Sequence, residues 1–131
     1  MRKYLVNLTQ HALTQEQKDS VDTAIEPRNM ATFLNFDEMP TAQEINTRAH
    51  RMFECLIAML KSNAIYPGDC TVLLGGAPFF MSACEQVALY YGFQFCYAFS
   101  KRISKEVTQP DGTVKKISEF KHEGWIGPFE N

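Results

Sequence analysis

Apolar and polar positions divide the chain into short runs with distinct periods. Lys3 to Leu8 is a mostly apolar run that reads as strand. Thr14-Gln15-Glu16-Gln17 matches a capping box, with Thr14 as N-cap and Gln17 reaching back, and predicts a short helix to about Val21. Asp22 to Asn29, which contains Pro27, reads as loop. Ala31 to Phe36 has strand character and is ended by Asp37-Glu38-Met39-Pro40. Thr41-Ala42-Gln43-Glu44 is a second capping box. After it Ala42, Ile45, Ala49, Met52, Phe53, Leu56, Ile57 and Leu60 recur at helical spacing, with polar residues on the other face up to Asn63. Pro67-Gly68-Asp69 is a turn. Cys70 to Leu74 is β-rich without polar alternation, as in a strand covered on both sides. Gly75-Gly76-Ala77-Pro78 leads into a helix striped with Phe80, Ala83, Cys84, Val87, Ala88 and Tyr91, closed by Gly92, and Phe93 to Phe99 is another apolar strand.

Strand and helix thus alternate, which argues for an α/β layer fold with right-handed crossovers. The tail differs in kind. Lys101 to Gln109 and Thr113 to His122 flank Pro110-Asp111-Gly112, predicting a β-hairpin over 100–123. With Gln109 opposite Gly112, Val107 meets Val114, Glu106 meets Lys115 and Arg102 meets Glu119. With 131 residues the chain has room for one domain, 1–131, the hairpin included.

Composition narrows the function classes. The chain is 45% hydrophobic and 21% charged, enough apolar residues for a core, and carries a formal charge of -2. Binding of long nucleic acid or of a membrane surface by bulk charge is disfavoured. Between Ser100 and His122, however, six basic residues face three acidic ones, a formal +3, which leaves -5 on the remainder. An acidic body with one basic module suits a small anionic ligand held locally. No apolar run is long enough to span a membrane, and Met1 to Asn7 turns polar too soon for a signal peptide. Cys55, Cys70, Cys84 and Cys96 form no C-x-x-C pair, so buried reduced thiols and a cytoplasmic location are expected.

Open α/β sheets bind ligands beyond the carboxyl ends of their strands. That rule selects Asn7, Thr9, Gln10 and His11 after the first strand. It selects Gly75, Gly76 and Ala77 before a helix N-terminus, and Ser100, Lys101 and Arg102 after the last parallel strand. The glycine pair lets backbone approach a phosphate, or else forms a tight strand-to-helix turn with Pro78 at the first helical position. His11 is a phosphate donor or general acid–base, or else a loop histidine bonded to backbone. Lys101 and Arg102 suit phosphate, unless Arg102–Glu119 and Glu106–Lys115 are plain cross-strand pairs. His122 ends the hairpin on the face of Val114 and Phe120, pointing towards Phe99, as a site residue or a half-buried structural one. His50 belongs to the polar side of the long helix. No paired carboxylates, metal-ligand cluster or nucleophile elbow appear, so any chemistry is expected to be metal-free and without cofactor.

Several segments together resemble a family. Leu8 to Gln17 looks like the opening S/T-x-H-x-L-T-x-E-Q of small CRISPR-associated ring nuclease-like proteins. Pro67 to Gly76 is similar to their G-D-x-V-L-x-x-G strand, Tyr97 to Arg102 to their Y-A-x-[ST]-x-R, and Asp111 to His122 to a hairpin ending in F-x-H. The pieces keep the family's order, whereas Gly75 to Phe80 is more apolar than its pattern. The resemblance implies a Rossmann-like (CARF-like) three-layer fold with a mainly parallel sheet and a C-terminal β-hairpin. It also implies a homodimer that binds a cyclic oligoadenylate second messenger across its two-fold axis, in CRISPR or antiviral signalling. Relatives that cut do so without metal, setting a ribose 2′-OH in line with its phosphate, which needs positioning and oxyanion stabilisation. Carried over by position, His11, Ser100, Arg102 and His122 take catalytic roles, and Asn7, Thr9, Gln10, Gly75, Gly76, Ala77 and Lys101 contact ligand. The leading expectation is therefore a metal-independent ring nuclease. A non-catalytic sensor or sponge of the same ligand, and an unrelated nucleotide-processing enzyme using the same cleft, are the alternatives.

Overall fold

The computed structural model describes residues 1–128. A sheet of five strands is ordered β2-β1-β3-β4-β5. In chain order, β1 (Tyr4–Asn7) is followed by the short helix α1 (Gln15–Asp19) and β2 (Thr23–Ile25). Next come a 3-10 turn (Ala31–Leu34), the long helix α2 (Ala42–Lys61), β3 (Cys70–Leu73), α3 (Pro78–Tyr90), β4 (Gln94–Thr108) and β5 (Val114–Ile126). Strands β2, β1, β3 and β4 are parallel neighbours, whereas β5 runs antiparallel to β4.

The helices start where the side chains dictate. Thr14 Oγ1 accepts a hydrogen bond from the Gln17 N–H, and the Thr14 N–H donates in turn to the Gln17 side-chain oxygen, the expected capping box. Thr41 accepts from the Glu44 N–H, and α2 then buries Ala49, Met52, Phe53, Leu56 and Leu60 along one stripe. These side chains meet Phe80, Cys84, Val87 and Ala88 of α3 and Val6, Leu8, Cys70, Val72 and Leu74 of the sheet in the main core.

The expected three-layer Rossmann-like fold with a mainly parallel sheet is not what forms. Successive strand residues point to opposite faces, and the two faces are unequally covered. Val6, Val72 and Leu74 lie under α2 and α3, while Leu5, Leu73 and Cys96 form a small cluster with Leu13, Val21, Ala24 and Trp125. Among the described residues the one helix on that side, α1, has five residues and buries none of them, so they build no third layer there. The sheet is mixed, and its longest ladder is the antiparallel one, from Tyr97↔Ile126 to Thr108↔Val114.

Two further expectations shift. The strand expected at Ala31 to Phe36 is a 3-10 turn followed by extended chain, whose Phe36 ring meets Phe79 and Phe80 edge-on at 5.0 and 5.1 Å. The second strand lies instead inside the stretch read as loop, as three residues at the sheet edge. Its cause is pairing: Tyr4 to Val6 offer β2 a ladder that the local sequence does not advertise. The hairpin register is also displaced by one residue. Gly112 adopts φ +87° and gives its N–H to Gln109, while Gln109 donates to Thr113, so three residues rather than two close the turn. Thr108 then faces Val114, Arg102 faces Phe120, and the ion pair that forms is Lys105–Glu119 at 2.8 Å.

Of the four thiols, Cys70, Cys84 and Cys96 are buried, and burial pushes their pKa values up to about 11, 12 and 12. Cys55 is exposed, contrary to the expectation for it. Among the described residues no helix is long and apolar enough to cross a membrane.

Candidate functional site

The carboxyl end of β1 is organised by a buried polar residue. Asn7 donates from Nδ2 to the His11 carbonyl at 2.7 Å and to Glu26 Oε1 at 3.2 Å. Its Oδ1 accepts from the Thr9 N–H at 2.9 Å and the Thr9 hydroxyl at 2.7 Å. Glu26 also accepts the Leu13 N–H at 2.7 Å and pairs with Lys18 at 3.7 Å. The Leu13 N–H is the main reason its carboxyl titrates below the ordinary range, helped by the Asn7 amide and Lys18 against some desolvation. Both ends of the Asn7 side chain are thus engaged. Asn7 shapes the loop, and it is not among the residues that line the hollow beside it.

That loop stands against the turn after β3. A Cβ on Gly75 would lie 3.0 Å from Thr9 Cγ2, and one on Gly76 would lie 3.2 Å from Met81 Cε. Neither glycine is needed for a left-handed φ, since the left-handed glycines are Gly92 and Gly112. The smallness of Gly75 instead lets the two loops close on each other, while that of Gly76 makes room for Met81 and Leu34 behind the turn. Immediately after them Ala77 is the N-cap of α3, with Pro78 in the first turn and no side chain capping the helix start.

Between the loops lies a hollow of about 400 Å³, lined by Thr9, Gln10, His11, Gly75, Gly76 and Tyr97, with Leu13, Gln17 and Ala98 among its other walls. It falls within the range of about 300–1,000 Å³ typical of small-molecule sites. Five of the expected site residues meet here: Thr9, Gln10, His11, Gly75 and Gly76. The His11 imidazole is exposed, while its backbone N–H and carbonyl are held by Thr9 and Asn7. Gln10 reaches across to donate to Asn35 Oδ1 at 2.5 Å. Ala77 sits beside the hollow without lining it.

The other four expected residues stand elsewhere. Ser100, Lys101 and Arg102 are exposed on the β4–β5 ribbon, beyond Ala98, and none of them lines the hollow. His122 faces Ser100, not Phe99, because Phe99 pairs with Gly124 and Glu123 is the extra residue of a bulge. The His122 and Trp125 rings are in contact, centroids 4.6 Å apart, and the buried His122 Nδ1 has no hydrogen-bond partner among the described residues.

Two residues of consequence were not singled out from sequence. Tyr97 walls the hollow and donates its hydroxyl to Glu85 at 2.7 Å; burial is the first of the causes that raise its pKa, and the Glu85 carboxylate adds to it. Its place at the head of the Y-A-x-[ST]-x-R piece was the available signal, though no role was assigned to it there. Glu26 had none, because its role depends on contacts with Asn7 and Leu13 that no local pattern encodes. A larger hollow of about 760 Å³ lies over the 3-10 turn and α2. It holds none of the expected residues, and the smaller one is taken as the site because the ends of β1 and β3 converge on it. No group of three or more His, Cys, Asp or Glu able to hold a metal occurs among the described residues.

No curated protein and no solved structure matches the chain. The description "Uncharacterized protein MJ1673 family" matches residues 3–126, nearly the whole length, and the chain belongs to that family.

Proposed function

We propose that the chain binds a cyclic oligoadenylate, or a nucleotide ligand of that chemistry, in the hollow between the β1 and β3 loops, and opens the ring without a metal. One observation carries this reading. The T-x-H piece at Thr9 to His11 and the glycine pair at Gly75 and Gly76, which resemble separate ring-nuclease motifs, line the same hollow. The turn and the uncapped start of α3 supply main-chain donors and a positive dipole end for a phosphate. In the reaction a ribose 2′-oxygen attacks the adjacent phosphorus. The bond from phosphorus to the next 5′-oxygen breaks, and a linear product with a 2′,3′-cyclic phosphate end leaves. His11 serves as the proton acceptor for the 2′-hydroxyl or the donor to the 5′-oxygen.

A second reading, binding without cleavage, is favoured by the standing of Ser100, Arg102 and His122 outside the hollow. Titration calorimetry with cyclic tetra-adenylate and cyclic hexa-adenylate, followed by chromatography of the recovered ligand in EDTA, separates the two. Linear product supports ring opening, and tight binding with intact ligand supports the sensor. Absence of binding to either ring overturns both.

A further inference from the structure

The binding hollow has a neighbour that none of the motifs points to. Two adjoining hollows, of about 760 and 480 Å³, share Thr32 and Arg48, and Arg51 lines the larger. Arg48 and Arg51 are three residues apart on α2 and so lie on one side of the helix. The Arg48 guanidinium is held in place: it sits 3.9 Å over the Phe36 ring and one of its nitrogens donates to the Asn35 carbonyl. The rest of its planar fork is left for another acceptor. Asp37 and Glu44 line the same hollows, yet neither forms an ion pair with either arginine among the described residues. The hydroxyls of Thr32 and Thr47 and the ring of Phe33 complete the wall.

Asn35 joins this region to the site. Its side chain accepts from Gln10, which lines the first hollow, and its carbonyl accepts from Arg48, which lines the second. A hollow of about 400 Å³ suits one nucleotide, whereas an oligonucleotide must extend beyond it. We infer that Arg48 and Arg51 form a second phosphate subsite, which holds a further backbone phosphate of the same oligoadenylate past the Gln10–Asn35 bridge. This rests on the reading of the β1/β3 hollow as the nucleotide site. Glu44 and Asp37 at the rim bias the subsite towards a diester, with one negative charge, over a terminal monoester.

The test compares ligands of different length. AMP, linear tri-adenylate and cyclic tetra-adenylate are titrated calorimetrically into the wild type, Arg51→Ala and Arg48→Lys. The wild type is expected to bind the longer ligands more tightly than AMP. Arg51→Ala, at an exposed position, should remove about tenfold of that gain and leave AMP unchanged. Arg48→Lys keeps the charge but loses the fork, and should remove a similar part. A wild-type gain that survives both substitutions overturns the subsite while leaving the first hollow as the nucleotide site. Failure of the wild type to bind any of the three ligands overturns the nucleotide reading itself, and the subsite with it.

Discussion

The β1/β3 edge and the β4–β5 ribbon carry the same kinds of residue, histidine, serine or threonine and polar side chains, but the protein treats them differently. At the edge, Asn7, Thr9 and Glu26 fix the main chain around His11 through a closed set of hydrogen bonds, and Gly75 lets the facing loop come close. Along the ribbon nearly every side chain is exposed, Phe120 to 75%, and the described contacts are largely those between its own two strands. A site that binds through preorganised groups belongs at the first place. The ribbon contributes charge, six basic residues to three acidic, and the hollow at its base is lined by Phe99, Glu123, Gly124, Trp125 and Ile126 and by none of its basic residues. Polar residue types at the ends of strands therefore mark candidates, and packing behind them decides which are held for use.

The widest contrast lies in stability. Phe53 is fully buried between α2 and the sheet, and Phe53→Ala should cost about 3–5 kcal/mol in urea unfolding. Phe120→Ala on the ribbon should change the same measurement by less than about 0.5 kcal/mol. Equal losses would mean that the ribbon is buried in solution and that the contrast is false. In the chemistry, His11→Ala should slow ring opening by about 10²–10⁴-fold with a smaller change in binding. His122→Ala, beside Trp125 and away from the hollow, should leave the rate within about threefold if histidine position decides the role. Asn7→Ala leaves the Thr9 N–H without its partner and the His11 carbonyl with the Thr9 hydroxyl alone, and should cost about 1–3 kcal/mol, with weaker nucleotide binding.

Glu26 gives the edge a pH dependence. Its folded pKa is lowered, so the stabilisation is present above the unfolded carboxyl pKa, about 4.3, and is lost as pH falls through the folded value. Thermal unfolding followed from neutral to acid pH should show this loss, and Glu26→Gln should flatten that part of the profile. The smallest expected effect is at Arg102. Standing outside the hollow, Arg102→Ala should alter AMP affinity by no more than about twofold at physiological salt, where distant charges are screened. A larger change would place the ribbon over the ligand.

Much of this was legible in the sequence where local chemistry governs. Thr14 and Gln17 announced their capping box, the stripe from Ala49 to Leu60 its buried face, and Thr9 to His11 with Gly75 and Gly76 their shared edge. Long-range pairing was not legible. The three residues of β2 become strand only because β1 lies beside them, and Phe36 is apolar because it packs on Phe79 and Phe80, not because it belongs to a strand. The missing third layer could not be read from alternation, since a strand with two apolar faces looks the same whether a helix or Trp125 covers the second. His122 was misdirected by one uncounted bulge residue, Glu123, because strand period alone carries no record of bulges.

The proposed place of the nucleotide is between the β1 and β3 loops. Backbone amide shifts recorded during titration with cyclic tetra-adenylate test it residue by residue. The shifts are expected to centre on Thr9 to His11 and Gly75 to Ala77, with little change from Lys105 to Lys116. Shifts confined to the ribbon, or none at saturating ligand, would contradict it.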